Sequence, residues 1–495
     1  MLFLSAEMIK EAESRTMENV SSMELIRTAA QSCFEELKEF NSVRVYCGKG
    51  NNGSDGYATA ILLKRNGKRV EIVQVMPPES EECKILCREA IEAEIPVVQG
   101  SLFATEEFEC SFDAIFGIGI HGEISDVNVI RAIEVINSSE TFVVSCDVPS
   151  GMDSDTGKEC GICVHADKTI TFTAPKRGML SNDSVDLCGE IVIREVGINV
   201  NYNEIRQSTC VPLTRKLVKA MIPKRNRYCH KGTFGTAVIV AGSKTMPGAA
   251  AMAAMAALRS GCGLVKIIAP VSICGMLNIM VKEAIVIPAA EQGGIMLPEL
   301  SPEAKEAIIN ADSILIGCGL GKGKHEVLIN NILSIASCGV IIDADGINCL
   351  SGKTDIIQNK NVLLTPHVKE FSRISGIDVN DIEKNRIQTA DSFARDMGIH
   401  LLLKGSRTVI TYGGSNKYVS VKTTSALSKA GSGDVLAGVI SSLCAQGMSL
   451  TDAAAAGCFI HSCAGLTAER EIGAFGCVSG DLIELIPRVI KEIVK

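Results

Sequence analysis

Residues 43–67 read VRVYCGKGNNGSDGYATAILLKRNG. The first five are apolar or strand-forming and end at Cys47, which predicts a buried strand. From Tyr57 to Asn66 the apolar residues recur at helical spacing, which predicts a helix starting near Asp55. Between the two lie Gly48, Gly50, Asn51, Asn52, Gly53, Ser54, Asp55 and Gly56. Glycines let a ligand approach the backbone, and the N-terminus of the following helix offers free N–H groups to an anion. An ordinary strand-to-helix turn is also rich in Gly and Asn, but this one carries more such residues than a turn requires. No Gly-Lys-Ser/Thr follows, so it is not a Walker-type phosphate loop.

Outward from this unit, strand and helix patterns alternate. Strands are predicted at 43–47, 70–76, 112–118 and 141–148, and the pattern restarts at 235–242, 264–270, 313–319, 339–345, 361–366 and 400–405. Such alternation predicts parallel βαβ units. The polar segment 201–228 has no long apolar run, and the two halves show no obvious repeat. The expectation is two different α/β domains, one over 1–208 and one over 212–495.

Composition narrows the class. The 495 residues are 46% hydrophobic and 21% charged, enough for large cores and unlike a disordered chain. A net charge of −8 without a basic run is a poor match to nucleic acid or an anionic membrane. No apolar stretch reaches the ~18 residues of a membrane span, and the start, MLFLSAEMIKEAE, lacks the basic region of a signal peptide. The 20 cysteines are scattered through apolar segments and read as small buried hydrophobes in a reducing cytoplasm. The one CxxC pair, Cys160 and Cys163, has no second pair near it to complete a zinc site.

Polar residues cluster at predicted strand ends. Asn52, Asp113, Asp147 and Ser150 all fall there, where parallel sheets bind ligands. Their donor atoms are oxygens, which suit a hard cation. In the second half, GCGLG (317–321), DADG (343–346), TPHVKEF (365–371) and KGSRT (404–408) occupy corresponding positions. There His367 follows a strand and a proline, and a ligand role is expected for it. Gly431, Ser432, Gly433 and Asp434 precede a helix with apolar residues at helical spacing. Its N–H groups would form an anion hole beside a carboxylate placed to act as general base.

The ordered set GxGNNGxDG, DAxFGxG and DxPSG resembles the NAD(P)H-hydrate epimerase domain, the YjeF N-terminal family. The series HKGTFG, MPGAA, GxGLG, DADGxN, TPHxxEF, KGSRT and GSGD is similar to the ADP- or ATP-dependent NAD(P)H-hydrate dehydratases. The resemblance implies a Rossmann-like three-layer first domain and a ribokinase-like second domain. For the first it implies potassium held by Asn52, Asp113 and Ser150. It implies contacts to the hydrated nucleotide from Asn51, Asn52, Gly53, Ser54, Asp55, Gly117, Ile118, Gly119, Ile120, His121, Gly122, Glu123 and Asp147, with Asp147 the acid/base. For the second it implies substrate contacts at Ala249, Gly319, His367 and Asp434. Nucleotide contacts fall at Lys404, Gly405, Ser406, Arg407, Thr408 and Gly433, with magnesium accompanying ADP or ATP. The chain departs from the family pattern at Ser54 (usually Gly), Cys318 (usually Pro), Val368 and Lys369 (usually Pro-Gly) and Ser432 (usually Thr).

The expected activity is repair of hydrated NADH and NADPH: interconversion of the R and S hydrates, then dehydration of the S form. The alternative is a kinase of a small alcohol joined to a non-catalytic binding module. The expected partners are these small molecules and a second copy of the chain, in a cytoplasmic homo-oligomer.

Overall fold

The computed structural model describes residues 2–99, 107–120, 122–201, 210–414 and 417–495. The chain divides into two compact units, Met1–Thr209 and Cys210–Lys495.

The first unit is built on seven strands: β1 (Ser42–Cys47), β2 (Arg69–Gln74), β3 (Val97–Gln99), β4 (Cys110–Ala114), β5 (Phe142–Cys146), β6 (Lys168–Phe172) and β7 (Glu190–Arg194). All pair in parallel, in the order β3-β2-β1-β4-β5-β6-β7. Alternate residues serve opposite faces. Val45 and Ile72 join the core under helices α2 (Ser22–Leu37) and α3 (Asn51–Arg65), while Tyr46 and Val73 join the core under the helix Val127–Ser138. Both faces are covered, as an all-parallel sheet requires. Strand order reverses between β1 and β4, which opens a crevice at their carboxyl ends.

The second unit contributes β8 (Cys210–Pro212), β9 (Thr236–Val240), β10 (Leu264–Pro270), β11 (Ile285–Ala289), a hairpin β12 (Glu291–Gln292) and β13 (Ile295–Met296), then β14 (Ser313–Ile316), β15 (Gly339–Ile342), β16 (Val362–Leu364), β17 (His400–Leu403), β18 (Val409–Thr411) and β19 (Lys417–Val419). Ten of these form one sheet in the order β11-β10-β9-β14-β15-β16-β17-β18-β19-β8. It is parallel from β11 to β17, turns antiparallel at β18, and ends in β8 parallel to β19. Its reversal point lies between β9 and β14. The buried helix Ser432–Ala445 packs on the alanine-rich helix Pro247–Arg259 so closely that a Cβ at Gly438 would lie 2.2 Å from the Ala253 carbonyl.

Two local expectations change. Helix α3 starts at Asn51, not near Asp55, so the glycine-rich run is its first turn with Gly50 as N-cap. Gly50 keeps an extended conformation, and the residues after it are helical. Strand β6 escaped the apolar pattern because buried Thr169 and Thr171 interrupt it. Among the described residues, no helix is long and apolar enough to cross a membrane.

Candidate functional site

In the first unit, Asp113 at the end of β4 is fully buried and gathers four donors. Its Oδ1 accepts from Ile115 N (3.2 Å) and Ser150 Oγ (2.5 Å), and its Oδ2 from Ser145 Oγ (2.8 Å) and Ser150 N (2.9 Å). Burial raises its pKa, and the serine and backbone donors oppose that rise. Ser150 Oγ also accepts from Phe116 N at 2.8 Å. Strand ends β4 and β5 are therefore tied together through one carboxylate. The first turn of α3 meets the segment after β4, since a Cβ at Gly117 would lie 3.6 Å from the Asn52 side chain. Asn52 Nδ2 is buried with no hydrogen-bond partner. Exchanging the two amide atoms would put its carbonyl oxygen there instead. Turned that way, the amide oxygen has no donor, which is compatible with the potassium that the resemblance implies.

Asp147 follows β5 with a left-handed backbone (φ 64°), a conformation costing a non-glycine residue about 1 kcal/mol or more. Its Oδ1 accepts from Phe172 N (3.1 Å), Thr171 Oγ1 (3.3 Å) and the ammonium of Lys176. Lys176 is itself fully buried and also donates to Thr171 Oγ1 at 2.9 Å. Two further carboxyls share this field. Burial, then Asp147 and Glu13, pushes Asp55 well above its ordinary value. Burial, then Asp147, raises Glu13. Glu13 lies on α1 (Ala6–Met17), whose lead-in segment is fixed by a Leu4–Lys176 bridge and by Ala6 N donating to Asp155 Oδ1 at 2.9 Å.

Lys176 and Glu13 were not singled out from the sequence. Neither carried a local signal, because the strand before Lys176 was itself hidden in the sequence. Ser54 sits inside the helix with ordinary angles and is fully buried, its Oγ donating to the Gly50 carbonyl at 3.2 Å. Gly117, Ile118 and Ile120 are half-buried at the crevice, whereas Gly119, Gly122 and Glu123 are exposed. His121 lies outside the described residues.

In the second unit, His367, Lys404, Gly405, Ser406, Thr408, Ser432 and Gly433 line one cavity of about 580 Å³, together with Lys422, Lys429 and His461. Thus the segments after β16 and β17 and the start of the helix Ser432–Ala445 converge. A His367–Lys404 bridge and the Lys404 N bond to Pro366 O (2.8 Å) hold two of them in register. Arg407 is not part of that lining, because its side chain is 1% exposed. Ala249 and Gly319 pack against each other, a Cβ at Gly319 falling 2.7 Å from that of Ala249.

Asp343, at the end of β15, is the electrostatic hub. Its Oδ1 accepts from Thr365 Oγ1 and from Lys404 Nζ, both at 2.8 Å. One ligand atom each from Cys318, Asp343 and Asp434 lies within 4.8 Å of the others. Burial first, and Asp343 second, raises Asp434 to a pKa of about 6. Burial alone would push Lys404 down, but Asp343 and Glu370 carry it above its ordinary value. Ser432 Oγ pairs with buried His461 Nε2 at 3.1 Å, and burial depresses His461 to about 4, so the imidazole is neutral there.

His367 caps the helix Val368–Ser375, its Nδ1 accepting from Lys369 N (3.1 Å) and Glu370 N (3.2 Å). The other ring nitrogen, Nε2, lies 3.4 Å from Glu370 Oε1. Asp343 and Thr365 were visible as strand-end residues, but their union with Lys404 depends on strand order. Lys422, Lys429 and His461 carried no local signal.

Residues 237–488 match the family described as NAD(P)H-hydrate dehydratase, and residues 21–178 match the family described as YjeF-related protein N-terminus. A bifunctional NAD(P)H-hydrate repair enzyme of Dictyoglomus turgidum is 30% identical over 513 residues, spanning 100% of this chain and 99% of its own. That of Coxiella burnetii is 32% identical over 486 residues, 96% of each chain. A ribokinase-like superfamily protein from Enterococcus faecalis, 24% identical with a TM-score of 0.51, covers 57% of this chain and 95% of its own, and shares the fold.

Proposed function

Because the chain belongs to the bifunctional NAD(P)H-hydrate repair enzymes, we propose how its own residues divide that work. The enzyme interconverts the R and S hydrates of NADH and NADPH and dehydrates the S form at the expense of ADP or ATP. A dihydronicotinamide ring is an enamine, so water adds at the carbon next to the ring nitrogen. The hydroxyl there leaves once it is protonated, pushed by the nitrogen lone pair, and water can return on either face.

In the first unit, Asp55 is the acid and Asp147 the base for this exchange. Their environments differ as an acid–base pair requires: burial drives Asp55 toward its neutral form, while Asp147 is anchored on Lys176. Asn51 to Asp55 and Gly117 to Glu123 form the walls that receive the nucleotide. Asn52, Asp113 and Ser150 would hold potassium, which would supply positive charge for the nucleotide's phosphates.

In the second unit, Asp434 takes the proton from the substrate hydroxyl as that oxygen attacks the terminal phosphate of the nucleotide. The N–H groups of Ser432, Gly433 and Asp434 receive the transferred phosphoryl group. Phosphate then departs from carbon where hydroxide would not, and loss of the neighbouring proton restores the double bond. Lys404, Gly405, Ser406 and Thr408 cradle the nucleotide, and Arg407 contributes its main chain only. Ala249, Gly319 and His367 face the hydrate. Magnesium travelling with the nucleotide would screen phosphate charge, with the Asp343 and Asp434 oxygens the nearest protein donors. The observation that carries this reading is Asp434 at the start of a buried helix, raised to about 6 and within 4.8 Å of Asp343, which is itself paired with Lys404.

We place the enzyme in a reducing cytoplasm, since its 20 cysteines are scattered through apolar segments as small hydrophobes. The test is to supply S hydrate with ADP or ATP and follow the return of reduced-nicotinamide absorbance. A stable phosphorylated product with no return of absorbance would contradict the reading.

A further inference from the structure

Residues Lys404 to Thr408 join β17 to β18 without helix or strand, and a buried arginine lies beneath them. Arg386 is 7% exposed and sits at the first position of the helix Arg386–Met397. That place suits a cation poorly: burial lowers its pKa, and the helix N-terminus is itself positive. Its hydrogen bonds explain why it is there. A guanidinium has five N–H donors, and here each has an acceptor. Nε donates to Arg407 O (3.0 Å), Nη2 to Leu403 O (3.1 Å) and to Lys404 O, and Nη1 to Glu383 Oε2 (3.0 Å) and Oε1 (3.2 Å). Three of the five acceptors are main-chain carbonyls at the two ends of one short segment.

The segment is shaped to this contact. A Cβ at Gly405 would stand 2.3 Å from Nη2, so a larger residue there would have to displace the guanidinium. On the other side, Thr408 Oγ1 donates to Gly405 O at 2.8 Å, and Lys404 Nζ reaches Asp343 at 2.8 Å. The carbonyls at the ends are drawn down onto Arg386, while Lys404, Ser406 and Thr408 line the cavity above.

We propose that Arg386 is a positioning residue for nucleotide binding: it fixes the main chain of 403–407 in its receiving shape before the nucleotide arrives, without touching the nucleotide. This rests on the reading that 404–408 binds ADP or ATP. A lysine keeps the charge but cannot address carbonyls at both ends of the segment at once.

The test uses the full chain, with S-hydrate dehydration measured against ADP concentration and against hydrate concentration. Arg386→Lys and Arg386→Ala are each expected to raise KM for ADP at least about tenfold while kcat changes less than about threefold. KM for hydrate should stay put, and methylguanidinium added to the alanine variant should recover part of the ADP affinity. An unchanged KM for ADP in either variant overturns the proposal, as does an equal rise in both KM values. If the alanine variant fails to fold, Arg386→Lys decides alone. Lys404→Met tests the underlying reading separately. If it leaves KM for ADP unchanged, the segment does not bind nucleotide. If it raises KM for ADP and the Arg386 variants do not, only the role of Arg386 fails.

Discussion

Replacing Asp434 with asparagine should make the second unit more stable and nearly inactive at once. The carboxyl titrates at about 6 in the folded protein against an ordinary value of 3.8, because burial and then Asp343 disfavour its charge. Between those two pH values the folded state binds more protons than the unfolded state. Stability is therefore lost as pH rises through this window, and the full cost is present above it. The gap corresponds to about 3 kcal/mol, or about 2 once partial exposure is allowed for. Asparagine keeps the shape and carries no charge, so Asp434→Asn should raise the melting temperature of the second unit by about 4–8 °C at pH 7.5. At pH 3.5 the difference should vanish. Dehydration of S hydrate should fall by about 10²–10⁴, the usual cost of losing a general base. In the unaltered enzyme at pH 5, only about a tenth of Asp434 is ionised, and turnover should be correspondingly lower. Calorimetry across this pH range, paired with the absorbance assay, checks both halves. An asparagine variant that turns over near normally would assign Asp434 to helix capping. One that melts lower at pH 7.5 would refute the electrostatic argument.

Other expectations concern the two units separately. Asp55→Asn should slow loss of R hydrate by about 10² or more while leaving dehydration of pure S hydrate intact; equal epimerisation rates would remove Asp55 from the acid role. Asp113→Ala should abolish any response of epimerisation to replacing potassium with a large organic cation, and wild-type enzyme indifferent to that exchange would sink the cation site. A fragment beginning at Cys210 should fold and consume the S hydrate only, read by chromatography of the two epimers with spontaneous epimerisation subtracted. Consumption of both forms would contradict the division of labour.

The strand ends were legible because their signals are local. Gly48 to Gly56 follow a buried run with more such residues than a plain turn needs, Asp113 and Asp147 fall at strand ends, and the glycines before Asp434 precede an apolar helix. The charged residues that support them were not. Lys176 and Arg386 look, in sequence, like any surface cation beside a strand or on a polar helix. Only the tertiary fold shows that one is fully buried against Asp147 and the other beneath a loop. His367 was legible as a strand-end residue before a helix. Its capping of that helix follows from the same position, and the cap occupies one of its two ring nitrogens.

The edge strand β8 has a consequence for how the protein emerges from the ribosome. Among the described residues it pairs only with β19, which is made long after it, so the sheet of the second unit cannot close until that late strand has appeared. The first unit has no such dependence, because its last strand, β7, precedes β8 in the chain. The epimerase half can thus acquire its native core during synthesis. Residues Cys210–Pro212, by contrast, wait unpaired through the making of most of the dehydratase half. A strand that waits is a point of vulnerability to mispairing, and Pro212, which has no N–H to offer a stray partner, sits at its end.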